Sequence, residues 1–211
     1  MKRISTVLGV FFVALVAVPT VPATTRSVAD PRGDFKGSDW PGPGTAWSVS
    51  QGCWVSTQTG TCDPSSVYFE NAGGLLDIVR VRHGHRARLL THRLVAARRW
   101  DARLLSREIG GQISFYFNTD RDRAFERRLD VVRRGSALRG IMRNARGRRV
   151  GTATARRPTR ASVELAFPRR LLGHRVRRYR WFAFAGVKCR RAYNRCGDRA
   201  PNARLTAHRL G

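Results

Sequence analysis

The chain of 211 residues carries a large excess of positive charge, with 41 lysines and arginines against 14 aspartates and glutamates and a net charge of +27. Its length fits one domain, or one domain with an extension. Hydrophobic residues make up 42% of the chain, which excludes disorder throughout and leaves enough apolar side chains for a core. A surface this positive repels itself and concentrates polyanions.

The first residues have the pattern of an export signal. Lys2 and Arg3 form a basic start, and Val7 to Val18 is an apolar stretch of twelve residues. Twelve residues are too few for a membrane-spanning helix, which needs about 20. Val21-Pro22-Ala23 then places small residues at the positions that a signal peptidase recognises. We therefore predict a signal peptide over residues 1–23 and a secreted mature chain without a transmembrane segment.

The next segment, residues 24–44, is rich in Gly and Pro. Its run from Asp30 to Gly44 is interrupted too often by these residues to form a regular element. Short strands are predicted at Thr45–Ser50 and Cys53–Gln58. We therefore divide the mature chain into an N-terminal segment and a β domain over residues 45–211.

From Leu75 onward, apolar and polar side chains alternate with the period of two that is typical of half-buried strands. The alternation includes Val79 to Val81, Ile113 to Phe117 and Val163 to Phe167. In Tyr179 to Phe184 the apolar residues fall on both faces, so this strand is predicted to be buried on both sides.

Turn signals separate these strands at the distances expected of hairpins. The predicted turns are His83-Gly84-His85, Arg134-Gly135-Ser136 and Asn144-Ala145-Arg146-Gly147, with one short helical turn over Pro168 to Gly173. Many short strands joined by tight turns predict an all-β protein. The expected architecture is an antiparallel β-sandwich, similar to a jelly roll, with short helical turns at most.

Four cysteines form two local pairs, Cys53 with Cys62 and Cys189 with Cys196. Three connectivities are possible, but each local pair would close a short loop between turn-forming residues, and export favours oxidation. We therefore favour the two local disulfides. A zinc site is disfavoured, because the spacings are too wide for a CxxC knuckle and no histidine lies close by.

Short motifs along the chain carry a family resemblance. They are Asp-Pro-Arg-Gly-Asp at Asp30–Asp34, Leu-Asp-Ile at Leu76–Ile78, Asn118-Thr119-Asp120 after an aromatic strand, and the stretch Phe167–Gly173. With these motifs the chain resembles secreted actinobacterial β-sandwich proteins, among them carbohydrate-binding family 9-like, DOMON-like and glucodextranase C-terminal modules. The resemblance runs from about Asp30 to Arg209 and implies a module that binds carbohydrate.

One acidic group is a candidate calcium site. Asp77 has the same parity as Val79 and Val81, so it is expected to point inward, where a carboxylate must be paired or coordinate a cation. Calcium takes oxygen ligands that the Asp30–Asp34 loop can supply, and the resemblance also implies calcium, with Asp34 and Asp77 as ligands. Alternatively, Asp30 and Asp34 cap turns and Asp77 pairs with an arginine.

The histidines near the first predicted hairpin are a second candidate metal site. A strand would place His83 and His85 on one face, with His92 beyond them. Gly84 and the arginine-rich flanks instead place the pair at a solvated hairpin tip, where no carboxylate accompanies it. We therefore predict no metal site at these histidines.

Catalytic motifs are scarce in the sequence. It contains no GxSxG elbow, HExxH helix or SxxK motif. Asp120, Asp122 and Glu126 cluster near a strand end as a glycosidase pair would, but arginines alternate with them, which favours a salt-bridged surface loop. We predict that the protein is not an enzyme.

Three hypotheses about binding remain open. A carbohydrate at the cell envelope or outside the cell would stack on tryptophans, for which Trp40, Trp47, Trp54 and Trp100 are candidates unless they lie in the core. An anionic envelope polymer, such as teichoic acid or phospholipid head groups, or nucleic acid, would bind the arginines. Export and the lack of a DNA-reading motif argue against a specific nucleic acid. A structural or interaction protein, with arginines that reflect codon usage, is the third.

Overall fold

The computed structural model describes residues 25–32, 36–38, 45–48, 53–61, 67–69, 76–86, 88–107, 109–120, 122, 124–188, 195–201 and 205–210. The predicted signal peptide, residues 1–23, lies outside these ranges. Within them, no helix combines the length and the apolar character needed to cross a membrane.

The described residues are mainly β-strands. In chain order these are β1 (Thr25–Ala29), β2 (Lys36–Ser38), β3 (Thr45–Ser48), β4 (Cys53–Ser56), β5 (Val67–Phe69), β6 (Ile78–Arg86), β7 (Leu89–Ala96), β8 (Gln112–Asn118), β9 (Arg127–Arg134), β10 (Ala137–Asn144), β11 (Arg149–Arg156), β12 (Ser162–Pro168), β13 (Arg178–Lys188), β14 (Arg195–Ala200) and β15 (Thr206–Arg209). Two short 3₁₀ turns, Ala102–Leu105 and Arg169–Leu171, accompany them. The all-β prediction and the short helical turn after Phe167 are therefore confirmed.

Thirteen of the described strands join in a single antiparallel sheet. Its order is β1-β6-β7-β12-β11-β10-β9-β8-β13-β14-β2-β5, and β15 pairs with β13 in addition, while β3 and β4 form a separate hairpin. The large sheet curls into a half-barrel. The two packed layers of the predicted sandwich are therefore not confirmed.

The concave side of the half-barrel holds the main core. It is built from alternate residues of the central strands, for example Phe115 and Phe117 of β8, Leu165 and Phe167 of β12 and Trp181 of β13, all of them 0% exposed. The predicted alternation of β12 is thus the pattern that fills the concave side. In β8 the prediction of a half-buried strand is wrong, because Ser114 and Tyr116 on its other face are 0% and 9% exposed.

Strand β13 is buried on both faces, as the sequence predicts. Trp181 and Ala183 belong to the main core. Phe182 and Phe184 face the other way and pack with Tyr116, under Phe125 and Leu205, in a second, smaller cluster. Burial on both sides makes β13 the rigid element on which the neighbouring strand ends are fixed.

Two of the predicted turns are confirmed and are set by glycine. Gly135 joins β9 to β10 with a φ of 59°, and Gly147 precedes β11 with a φ of 74°. Side chains with a Cβ rarely adopt this region. Short strands are also present where β3 and β4 are predicted.

The prediction of a turn at His83-Gly84-His85 is wrong. Strand β6 continues to Arg86, and its register places His83 opposite His92 of β7. Gly84 is paired with Thr91 on one side and with Thr25 of β1 on the other. These ladders on both sides outweigh the preference of glycine for turns.

The segment before residue 45 also contributes to the sheet. Strand β1 pairs with β6, and the three-residue β2 pairs with β14 and β5. The prediction that Asp30 to Gly44 holds no regular element is therefore wrong at β2. Gly and Pro interrupt this run, but three residues suffice where neighbouring strands supply the hydrogen bonds.

The absence of a side chain at Gly140 of β10 is required by the packing of the concave side. A Cβ at this position would lie 2.6 Å from Ala153 Cβ and 3.1 Å from methyl groups of Leu129 and Leu165. We expect Gly140→Val to lower the free energy of unfolding by about 1–3 kcal/mol through overpacking. Thermal or denaturant unfolding measures it, and Ala137→Val, at an exposed position of the same strand, is the control. Equal stability of both variants would contradict this packing.

Candidate functional site

An arginine-rich pocket of about 650 Å³ is lined by residues of β1, the first strand of the sheet order, and of the β13–β15 pair. Arg26 comes from β1 at one end of the strand order, whereas Arg178 and Arg209 come from β13 and β15 near the other end. Arg177 and Arg180 complete the set of five arginines among the residues that line it. We call this site the arginine pocket.

Strand register explains why these arginines converge. Along β13, Arg178 and Arg180 are exposed while Tyr179 between them is buried. Arg178 is paired with Arg209 of β15, and Tyr179 with His208. Side chains that are directly opposite in an antiparallel pair point to the same face, so two guanidinium groups share the outer face and two rings share the inner face.

The positive charge of the pocket has no counter-charge among the described residues that line it. Like charges directly opposite each other, as at Arg178 and Arg209, destabilise a strand pair. None of the described residues that line the pocket is acidic. The ion pairs that the structure describes, Arg128 and Arg143 with Asp130 and Arg156 with Glu164, use none of the pocket arginines. The arrangement therefore favours an anion.

Buried polar side chains form the floor of the pocket. Tyr179 and His208, 2% and 6% exposed, line it from the inner face, whereas Asn118, 1% exposed, is paired with Arg180 and so shares the face of that arginine. The Asn118 amide donates to the carbonyl oxygen of Ala124 at 2.8 Å, which holds the side chain in place. The His208 ring lies 4.6 Å from the ring of His83, centroid to centroid, and so links β15 to β6 across the opening of the half-barrel.

A hydrogen bond fixes the proton of His83. The indole Nε1–H of Trp181 donates to His83 Nδ1 at 2.8 Å. Because an indole N–H can only donate, Nδ1 must be unprotonated, and a neutral His83 carries its proton on Nε2. Behind it, Nε2 of the fully buried His92 is 2.9 Å from the hydroxyl of Tyr179.

These histidines are neutral at physiological pH. Burial, together with the nearby His208 and Arg26, lowers the pKa of His83 to about 4. Burial, with His85 and Arg26, lowers the pKa of His208 to about 4 as well, and burial holds the pKa of His92 well below its usual range. Burial also raises the pKa of Tyr179. The charge of the site therefore comes from its arginines, and the floor is an uncharged hydrogen-bonding surface.

The prediction that the histidines lie at a solvated tip is wrong, because His83 and His92 are 1% and 0% exposed. Among the described residues, Asp120, Asp122 and Glu126 form a group of three potential metal ligands. Their ligand atoms all lie within 4.8 Å of one another. The histidines do not form such a group, and the arginines around them oppose a cation.

Backbone hydrogen bonds organise the acidic loop of Asp120, Asp122 and Glu126. Glu126 Oε2 accepts from the backbone N–H of Thr119 at 2.5 Å, and Asp122 Oδ1 accepts from that of Ala124 at 2.7 Å. These carboxylates thus cap the turns of their own loop. Of the four arginines predicted to pair with them, Arg128 pairs with Asp130 instead, and Arg127 donates to the backbone carbonyls of Glu126 and Leu171. Arg121 and Arg123 fall outside the described residues.

Of the two predicted calcium ligands, only Asp77 is described. It lies immediately before β6, is 4% exposed, and its backbone carbonyl accepts from the N–H of Ala97 at 2.7 Å. Asp34 lies outside the described residues. Calcium at Asp34 and Asp77 therefore stays a prediction.

The predicted tryptophan platform is described only at Trp100. This ring is 4% exposed, and the guanidinium of Arg157 covers it at 4.1 Å from the ring centroid. Arg157 also donates to the carbonyl of Trp100 at 2.6 Å. The ring is therefore not exposed to stack on a sugar. Trp40, and the side chains of Trp47 and Trp54, lie outside the described part of the chain.

The predicted disulfides are likewise only partly visible. Cys196 is 1% exposed in β14, and Cys53 begins β4. Cys62 and Cys189 lie outside the described residues, so both pairings stay predictions.

Sequence reasoning missed His208, Tyr179 and the convergence of the five arginines. A signal for the buried histidines is present, because Val81, His83 and His85 continue one parity of β6, as Leu90, His92 and Leu94 do in β7. No local signal indicates that Arg26 and Arg209 meet, since they belong to opposite ends of the chain.

The buried histidines predict a dependence of stability on pH. In the unfolded chain His83 and His208 titrate near pH 6.5, whereas in the folded protein their pKa is about 4. Between these values the unfolded state binds more protons, so stability falls as the pH is lowered from 6.5 to 4. Thermal melts across this range measure the loss, and His208→Gln is expected to make it shallower.

A matched control removes the exposed imidazole of His174 by the same change, His174→Gln. A melting temperature that stays constant from pH 6.5 to 4, or an equally steep loss in His208→Gln, would contradict the placement of these histidines.

Comparison with known proteins adds no relative from which to argue. A scan against protein-family models finds no match to the chain, and a search of the curated proteins finds none. The function is therefore inferred from the geometry and charge of the site.

Proposed function

We propose that the protein is a non-catalytic binding protein whose arginine pocket docks on the phosphate groups of an anionic partner at the cell envelope. The observation that carries the proposal is the convergence of five arginines in one pocket, with no acidic side chain among its described lining residues.

The chemistry of guanidinium supports phosphate as the group that is bound. Arginine is always charged and presents parallel N–H groups that match two oxygens of a phosphate. Binding of an anion between Arg178 and Arg209 would also relieve the repulsion across this strand pair. The neutral floor of Tyr179 and His208 adds no negative charge that would compete.

The overall charge supports the same partner at longer range. A net charge of +27 attracts polyanions before contact and raises the rate of encounter. The pocket then adds short-range, oriented contacts. The predicted signal peptide, residues 1–23, would bring the chain to the envelope, where anionic polymers are found.

Carbohydrate binding, the sandwich architecture and the family resemblance remain predictions. The one tryptophan whose side chain is described among the four candidates is Trp100, and Arg157 covers its ring. A signal on a glycan array that survives high salt and is lost when Trp47 or Trp54 is changed to alanine would support carbohydrate binding.

Long-chain polyphosphate is a direct probe of the proposal. We expect Arg178→Gln combined with Arg209→Gln to weaken its affinity about tenfold or more, because charge-assisted hydrogen bonds are lost. Calorimetric titration at two salt concentrations measures the change. The matched control, Arg134→Gln with Arg139→Gln, removes the same charge from exposed positions towards the far end of the β9–β10 hairpin.

The control pair is expected to change the affinity only about two- to threefold, through the weaker general field. Equal losses in both double variants would show that the net charge, and not the pocket, binds the polymer. That result, or no binding of polyphosphate, would contradict the proposed function.

A further inference from the structure

We infer that the ligand is a linear, base-free polymer of repeating phosphates that occupies two neighbouring pockets at once. This inference rests on the proposed function and names its ligand class. Its starting observation is a second pocket, of about 640 Å³, that shares Arg177 and Arg178 with the arginine pocket. His174, Arg175 and Val176 line its other side, and we call it the loop pocket.

The shared residues make the two pockets direct neighbours. Because Arg177 and Arg178 line both sites, the pockets lie on either side of the same short segment. A chain that leaves the arginine pocket therefore meets the loop pocket directly across two guanidinium groups. One compact anion fills only one of the two sites.

The segment between the pockets is held rigidly by its backbone. The carbonyl of Arg177 accepts from the N–H of Leu210 at 2.7 Å, which fixes it to the end of β15. The carbonyl of Val176 accepts from Arg169 Nη2 at 2.7 Å. Because this backbone is already held in place, the conformational entropy lost when a chain is laid across it is limited to the arginine side chains.

The charges that line the loop pocket determine the direction in which the bound phosphate polymer runs. Arg175, Arg177 and Arg178 are exposed there, whereas Asp120 is the acidic residue among the described lining residues of the two pockets. Repulsion by Asp120 keeps phosphates on the side of His174 and Arg175. The positive path thus runs from Arg26 and Arg209, across the shared arginines, towards Arg175.

The rings at the two pockets favour a polymer without bases. Proteins that bind single-stranded nucleic acid without sequence preference stack its bases on exposed aromatic side chains. Of the described rings that line the pockets, Tyr179 and His208 are buried and only His174 is exposed. The sites thus hold several arginines for phosphates, whereas His174 is the single exposed ring among their described lining residues, too little for a run of bases to stack on.

A length series tests the inference on the full mature chain. Affinities are measured for inorganic phosphate, tripolyphosphate, long polyphosphate and an abasic phosphodiester oligomer, all expressed per phosphate. Once a chain spans both pockets, the second contact becomes intramolecular, so we expect a gain of at least about tenfold over inorganic phosphate. The polyphosphate and phosphodiester arms distinguish the two sources of repeating phosphate.

Variants of the loop pocket separate this inference from the proposed function. His174→Gln with Arg175→Gln is expected to reduce the ratio of long-chain to inorganic-phosphate affinity several-fold, while Arg134→Gln with Arg139→Gln keeps it. Phosphate binding that depends on Arg178 and Arg209 but shows no gain with length would overturn the two-pocket inference alone.

A comparison with single-stranded DNA covers the competing macromolecule. DNA and an abasic oligomer of equal length are expected to bind with similar affinity, because the pockets do not contact bases. Binding of DNA more than about tenfold tighter than the abasic oligomer would overturn the inference in favour of a nucleic-acid site.

Discussion

The contact between β6 and β15 closes the half-barrel, and the arrangement of the site depends on it. His83 packs against His208 across this opening and accepts a hydrogen bond from Trp181 behind it. Nearby, the N–H of Ile78 at the start of β6 donates to a carboxylate oxygen of Asp198 in β14 at 2.5 Å. Because β1 pairs with β6 and β15 pairs with β13, these links bring Arg26 and Arg209 into the lining of one pocket.

The contact between β6 and β15 brings arginines close to buried histidines. The neutral state of these histidines limits the electrostatic repulsion that results. Arg26 lies close enough to depress the pKa of both His83 and His208, so a protonated histidine would add charge where it is least tolerated. Keeping these rings neutral confines the positive charge to the rim. The hydrogen bond from Trp181 reinforces this, because it occupies the nitrogen that a second proton would need.

Local features of the fold could be predicted from the sequence, whereas its closure could not. The β9–β10 turn at Gly135 and the double burial of β13 follow from neighbouring residues alone. The hydrogen bond between His83 and Trp181 joins residues 98 positions apart. A period-two pattern states which side chains face a core, but it does not state whether that core lies between two sheets or inside one curled sheet.

In the candidate site, too, local features could be predicted from the sequence and long-range features could not. Asp77 was expected to be inward and is buried, although a register shift between Ile78 and Arg80 interrupts the parity with Val81 on which the expectation rested. The five pocket arginines could not be selected from 41 basic residues, since exposure and charge are common to most of them. A turn was predicted at Gly84 from its residue type. This prediction failed because the sequence does not show that β1 pairs with β6. Long-range pairing thus decides both the architecture and the site.

A phosphate titration followed by nuclear magnetic resonance tests the central claim most directly. In the isotope-labelled protein, inorganic phosphate should shift the backbone amide signals of residues 177–180 and 207–209 together with Arg26, with one common dissociation constant. Shifts spread evenly over the exposed arginines, or confined to other strands, would contradict the claim that the closed end of this sheet forms an anion site.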